Sequence, residues 1–340
     1  MGTALSGPAR PLKYRLLVGT GGIGSGLVFD LAGDHTLGRE ESRAARLRPA
    51  QDFCKLHIIS HYPALLLGPD LAVLPVGAVG ADDPGRATKT RMASAGMDVS
   101  HVAELPDAGT LFSVCFLYPD GTGGNLTTTD SASARVTPAM IAAVRPRCEA
   151  FRGAGLALAA PEVPLDTRAA LLDLGTELGF FRAASVVKGE ARAALEAGLF
   201  HKTDLLSVNQ EEARALADAP ADRPLPDVLA TLTDLLLPGQ PRLRIVVTAG
   251  AGGAHGFADG AWTHVPAVPA TVASTAGAGD AFLAGLLIGE CRALPFVESL
   301  RFASLLASLK VSSADTIHLG INEALLRAHG RTVGVTLPFP

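Results

Sequence analysis

The sequence predicts an α/β fold: a doubly wound, mostly parallel sheet with helices on both faces and a small β lid. Two observations carry the prediction. Apolar runs of strand length alternate with longer Ala/Leu-rich stretches of helical spacing, the rhythm of parallel strands joined by crossover helices. Residues 31 to about 50 and 106 to 130 break that rhythm, and the second segment reads as two short antiparallel strands around the turn "PDGTGG", suited to covering a site.

Taken in order, "YRLLV" (14–18) reads as a buried strand that runs into "VGTGGIGSG" (18–26), where Gly19, Gly21 and Gly24 satisfy the pattern G-x-G-x-x-G. That pattern marks a dinucleotide-binding turn only where a helix follows at once. Here "SGLVFDLAGDHTLG" follows, with further glycines and no helical spacing, and the acidic pair Glu40 and Glu41 lies in a charged run with no strand before it. The stretch is therefore read as a flexible turn from the first strand toward the lid, not as a dehydrogenase fingerprint. In "AQDFCKLHIISHYPALLLG" (50–68), His57 and His61 are spaced to share a helix face but lack a third metal ligand. Strand–helix pairs follow: "LAVLPVGAVG" with "PGRATKTRMASAG", "GLALAAP" with "LDTRAALLDLGTELG", and "DLLSVN" with "EEARALAD". "LRIVVTAG" (243–250) is a strand before a glycine-rich turn, and "PADRPLP" (220–226) a proline-broken connection rather than a boundary. The expectation is one domain over 1–340.

Composition narrows the function. A net charge of -4 and 5% aromatic residues offer neither a basic surface nor stacking platforms for nucleic acid. No apolar run approaches the roughly 20 residues of a membrane span, so a cytoplasmic protein without a membrane partner is expected. "MGTALS" matches the N-myristoylation pattern through Gly2 and Ser6, a short pattern with no second anchor beside it. Cys54, Cys115, Cys148 and Cys291 are scattered, as reduced, buried thiols would be.

The chemistry concentrates in "VASTAGAGDAFLAGLLIGE" (272–290). A turn from Thr275 to Gly279 runs into Asp280 and an apolar helix. Glycines at 277 and 279 let a phosphate approach the backbone, and the helix start adds partial positive charge. Asp280 either accepts the proton of an attacking hydroxyl there or simply caps the helix.

Four segments together resemble the ribokinase-like (PfkB) carbohydrate kinases: "TAGAGDAFLAGLL", "VGAVGADDPG" with Gly80, Asp82 and Gly85, "SVNQEEA" with Asn209 and Glu212, and "VTAGAGGA" with Thr248, Gly250 and Gly253. The resemblance implies a ribokinase-like fold and transfer of the ATP γ-phosphoryl group to a hydroxyl of a sugar or nucleoside. It makes Asp280 the base and the N–H groups of Gly277, Ala278 and Gly279 the anion hole. It places Thr248, Gly250, Gly253 and Thr275 beside the nucleotide, and Asn209 and Glu212 around Mg2+, although Asn-x-x-Glu is also a helix-capping pattern. On the acceptor side it points to Gly80 and Asp82, and to Asp30 as the nearest aspartate after the first strand.

The chain also departs from that pattern. Ser274 stands where the family usually has Asp, which puts a monovalent-cation requirement in doubt. The family's Gly-Gly helix start is replaced by 50–68, where Lys55 either meets an anionic substrate or is a solvated lysine. "FFRAASVV" (180–187) lacks the family's Asp and Asn. An intact donor half with an altered acceptor half fits a kinase with an unusual acceptor, or a non-catalytic regulatory relative. Lid strands in the family often pair between subunits, so the resemblance implies either a homodimer through 31–50 and 106–130 or a simple monomeric lid.

Overall fold

The computed structural model describes residues 11–120 and 122–339; the Gly2 and Ser6 pattern lies outside them. In chain order the first elements are β1 (Leu16–Thr20), β2 (Gly24–Leu31), β3 (Ala45–Leu47), β4 (Asp52–Phe53), α1 (Lys55–Leu67), β5 (Ala72–Gly80), α2 (Asp83–Ser94), β6 (Val102–Leu105), β7 (Leu111–Leu117) and β8 (Gly123–Thr127). The middle of the chain forms α3 (Pro138–Glu149), β9 (Gly155–Ala159), α4 (Leu165–Leu178), β10 (Phe181–Ala184), α5 (Ala191–Glu196), β11 (Leu205–Asn209), α6 (Gln210–Leu216) and α7 (Leu225–Leu236). It ends with β12 (Arg244–Thr248), β13 (Ala254–Ala258), β14 (Ala261–Val265), α8 (Ala278–Cys291), α9 (Phe296–Val311) and α10 (Glu323–Val333).

A nine-stranded sheet of order β14-β13-β12-β11-β10-β9-β1-β5-β6 is parallel except at β13 and β14. Strands β1 and β9 are apolar or small at every position and fully buried, because helices cover both of their faces. Leu17 and Leu158 pack with α1, α8, α9 and α10 on one face. Leu16, Val18, Leu206 and Ile245 face α3 to α7 on the other. The predicted two-layered helical cover is therefore present. Local signals set several helix starts: Asp82 caps α2, and Asn209 with Glu212 forms a reciprocal capping box at α6. Helices α8 and α9 lie unusually close, since a Cβ on Gly285 would sit 2.6 Å from the Ala303 Cα.

A second sheet, β3-β2-β7-β8 with β4 also on β2, stands apart from the first. Strands β7 and β8 form the antiparallel pair expected within 106–130. The remainder is a correction: the long strand of this sheet is β2, which begins inside the glycine stretch, whereas 31–50 contributes only Leu31, the last residue of β2, and the three residues of β3. The stretch "VGTGGIGSG" is thus strand–turn–strand, with no helix N-terminus for a pyrophosphate. Its glycines serve close packing, because a Cβ on Gly24 would overlap the Leu111 carbonyl.

Candidate active site

The C-terminal ends of the parallel strands open into a cavity of about 810 Å3. Eleven of the fourteen residues singled out from the sequence line it, drawn from α1, α6, the loops after β11 and β12, and the start of α8.

The start of α8 is built by Gly277, whose φ of 78° turns the chain into the helix. A side chain there would be strained, and its Cβ would overlap the Thr316 carbonyl. The Ala278 N–H donates to the Thr275 carbonyl at 3.1 Å, so Ala278 is not an open donor. Among the described residues the N–H groups of Gly277, Gly279 and Asp280 have no intramolecular acceptor, and these replace the trio read from the sequence.

The Asp280 side chain is 9% exposed and accepts from Lys55 Nζ at 3.3 Å. Lys55 opens α1, and two bonds hold it there: its backbone N–H donates to Glu162 Oε2 at 3.1 Å, and the next N–H, of Leu56, donates to the Gly22 carbonyl at 3.1 Å. The glycine turn therefore braces the helix that carries Lys55. The Asp280 carboxylate holds the Lys55 ammonium above the ordinary lysine value, so Lys55 is a permanent cation inside the cavity.

Glu162 was not legible in the sequence. It follows β9 in a left-handed conformation with φ 75°, costly for a non-glycine residue by about 1–2 kcal/mol. Burial pushes its carboxyl up to about 7, against the pull of Lys55. Strained, buried acids beside a cavity cluster at functional positions. The only local hint was an acid directly after a buried strand and a proline.

Asn209 and Glu212 line the cavity while capping α6 on each other's backbone at 2.8 and 2.9 Å. Burial pushes Glu212 up to about 7, and Lys55 opposes that rise. The capping leaves the second oxygen of Glu212 free, a hard donor of the kind Mg2+ prefers. Among the described residues no group of three His, Cys, Asp or Glu side chains is arranged to hold a metal by itself. Thr248, Gly250 and Gly253 form one wall, with Gly250 and Gly253 at positive φ, and Thr275 closes it near α8. Val268, Pro269, Val272, Phe282 and Ala307 give an apolar end.

Three acceptor-side residues read from the sequence lie elsewhere. Asp30 sits on β2 and pairs with Arg46 at 2.7 Å and Arg48 at 2.6 Å, so two guanidinium groups saturate it. Asp82 spends its carboxylate on the Gly85 and Thr110 backbone N–H groups and the Thr110 hydroxyl. Gly80 donates to Thr110 Oγ1 at 2.9 Å, completing the same structural knot. His57 and His61 are both buried in α1, 6.1 Å apart between ring centroids, and among the described residues none of their ring nitrogens has a hydrogen-bond partner.

The pfkB carbohydrate kinase family is matched over residues 64–323, more than half of the chain. The chain belongs to the pfkB family of carbohydrate kinases. The matched region holds the wall of Thr248, Gly250 and Gly253 together with Asp280, while Lys55 and the glycine turn precede it. The 1-phosphofructokinase of Haemophilus influenzae is 32% identical over 131 residues, covering 38% of this chain and 41% of that protein. That of Vibrio cholerae is 32% identical over 145 residues, 41% and 43% of the two chains. The chain thus spans less than half the length of these curated relatives. A Burkholderia thailandensis nucleoside kinase solved with inosine superposes with a TM-score of 0.75 at 19% identity, covering 95% of this chain and 100% of that one. The Arabidopsis thaliana ribokinase solved with ribose and ATP gives 0.73 at 18% identity, covering 93% and 98%. These likenesses establish a ribokinase-like fold. Among the described residues no helix is long and apolar enough to cross a membrane.

Proposed function

We propose that this kinase transfers the γ-phosphoryl group of ATP to a hydroxyl of a sugar-like acceptor, with Asp280 receiving the hydroxyl proton. The observation that carries the reading is the start of α8, where a buried carboxylate and three open N–H groups face one cavity. The apolar end at Val268, Pro269 and Phe282 suits a nucleobase, and the Thr248–Gly253 loop suits its phosphates. As the acceptor oxygen bonds to the γ-phosphorus, its bond to the bridging oxygen of ADP breaks. Negative charge then gathers beside the Gly277, Gly279 and Asp280 N–H groups and Lys55. Lys55 also orients the Asp280 carboxylate. Glu162, next to the Lys55 backbone, accepts a second hydroxyl of the acceptor and fixes its pose.

When bound, Mg2+ neutralises phosphate charge; the free Glu212 oxygen and Asn209 would hold it, largely through water. The exposed apolar face of the second sheet supports a homodimer. Leu27, Leu47 and Leu126 project from that face, the last 64% exposed, and strand register places them together.

The test is ADP release from Mg-ATP across sugars, sugar phosphates, nucleosides and polyols, beside Asp280→Asn. Acceptor-dependent release that falls about 10²- to 10⁴-fold in the variant is the expected result. Nucleotide binding without release from any acceptor would favour a regulatory protein instead.

A further inference from the structure

The side chain of Lys310, near the end of α9, is fully buried, yet it plays no part in the chemistry above. Its ammonium donates to the Ser274 carbonyl at 2.9 Å. The preceding carbonyl, of Ala273, accepts from Arg48 Nη1 at 3.0 Å. The N–H groups of the same two residues both donate to the Val311 carbonyl, at 2.7 and 3.2 Å. Two successive peptide units that lead into Thr275 and the open N–H groups are thus gripped from both sides. Two cationic nitrogens take the carbonyls, and one helix-end carbonyl takes the amides.

We propose that Lys310 is a positioning residue: its fixed ammonium, aided by Arg48, anchors the turn that presents the anion-binding N–H groups, so that nucleotide binding requires no monovalent cation. A sodium or potassium ion in this turn would have to share the Ala273 and Ser274 carbonyl oxygens. Both are already engaged by positive groups that would repel it in a poorly screened interior. The charge is also part of the chain, so a tethered ammonium pays no association entropy. Asp30 gains a role here: it holds Arg48, whose other arm reaches the turn.

The anchor titrates within reach of experiment. Burial pulls Lys310 down to about 8, while Asp280 on α8, Asp315 after α9 and Asp52 on β4 act to keep it charged. His318, on the segment before α10, faces it as well. The grip is complete well below pH 8 and weakens as the ammonium loses its proton through and above it.

Because nucleotide binding belongs to the proposed function, the probes are Mg-ADP titration and thermal melting, each in potassium chloride and in tetramethylammonium chloride at equal ionic strength. For the wild-type protein, melting temperature and Mg-ADP affinity are expected to be the same in both salts, with affinity declining above pH 8. Lys310→Met is expected to melt cooperatively, bind Mg-ADP about tenfold or more weakly at pH 7, and lose the alkaline decline. Lys310→Ala, which leaves room for an ion, is expected to regain affinity with ammonium or potassium but not with tetramethylammonium. A wild-type melting temperature or affinity that rises several-fold or by several degrees with potassium overturns the inference, as do folded Lys310 variants with wild-type affinity. Should the variants fail to fold, the wild-type salt comparison alone decides. Absence of any Mg-ADP binding refutes the nucleotide reading, whereas the effect of potassium on melting still judges the anchor.

Discussion

Two glycines separated by one residue at the start of α8 make opposite demands, and alanine at each provides a paired test. Gly277 has φ 78°, which costs an L-residue about 1–2 kcal/mol. The added Cβ also overlaps the Thr316 carbonyl, a backbone atom that cannot swing away, since Thr316 is tied to the Gln51 carbonyl at 3.0 Å and to the Phe53 N–H at 2.9 Å. Overpacking of that kind adds about 1–3 kcal/mol, so Gly277→Ala should lose roughly 3 kcal/mol overall. Gly279 lies inside the helix with open space where its Cβ would point. Gly279→Ala should hold or raise stability by up to about 1 kcal/mol through helix propensity. The same methyl group, however, enters the cavity where a phosphate would meet the N–H groups, and turnover should fall about 10²- to 10³-fold, as when one such donor is lost. Urea midpoints and Mg-ATP-dependent ADP release measure the two quantities separately. Wild-type turnover in Gly279→Ala would refute the contact between these N–H groups and phosphate. Wild-type stability in Gly277→Ala would refute the rigidity of the turn.

Acid stability should depend on the buried histidines: burial lowers His57 and brings His61 down to about 4, whereas both titrate near 6.5 once unfolded. Their stability is complete above pH 6.5 and is lost as pH falls from 6.5 toward 4, by about 3 kcal/mol from His61 alone, so His61→Leu should flatten the pH dependence of the urea midpoint in that window. Assembly should depend on the exposed lid face: Leu126→Asp is expected to sediment as a monomer where the wild-type protein sediments as a dimer, and an unchanged dimer would exclude that face.

What the sequence revealed and concealed follows from the range of the interactions involved. The turn at 275–279, Asp280, and the Asn209 and Glu212 cap are local: the backbone needs within four residues are written in the residues themselves. Even there the reading slipped by one donor, because the Thr275 carbonyl takes the Ala278 N–H in a turn whose closure no residue type announces. Asp82 was legible as a cap, being followed by a proline and by the glycine whose N–H it accepts, yet family likeness drew it toward substrate. Asp30, Glu162 and Lys310 depend on distant partners. Arg48 reaches Asp30 only because β2 and β3 pair, Glu162 meets Lys55 across 107 residues of chain, and Lys310 meets Ser274 where α9 ends. The parallel sheet was visible because its central strands β1, β5 and β9 are continuous runs of apolar and small residues. Strand β2 was not, since its outward and inward residues are both part-exposed and its glycines hide the alternation.

The order in which the chain is synthesised gives the close α8–α9 pair a further meaning. Strand β1, the second sheet, Lys55 and Glu162 leave the ribosome first, whereas the turn before α8 is anchored only once Val311 has emerged. Until then α1, which packs against α8 in the finished molecule, has one apolar side uncovered. A chain halted before residue 272 would therefore lack Asp280 and the open N–H groups beside it, and would display the sticky surface by which chaperones and proteases recognise unfinished proteins.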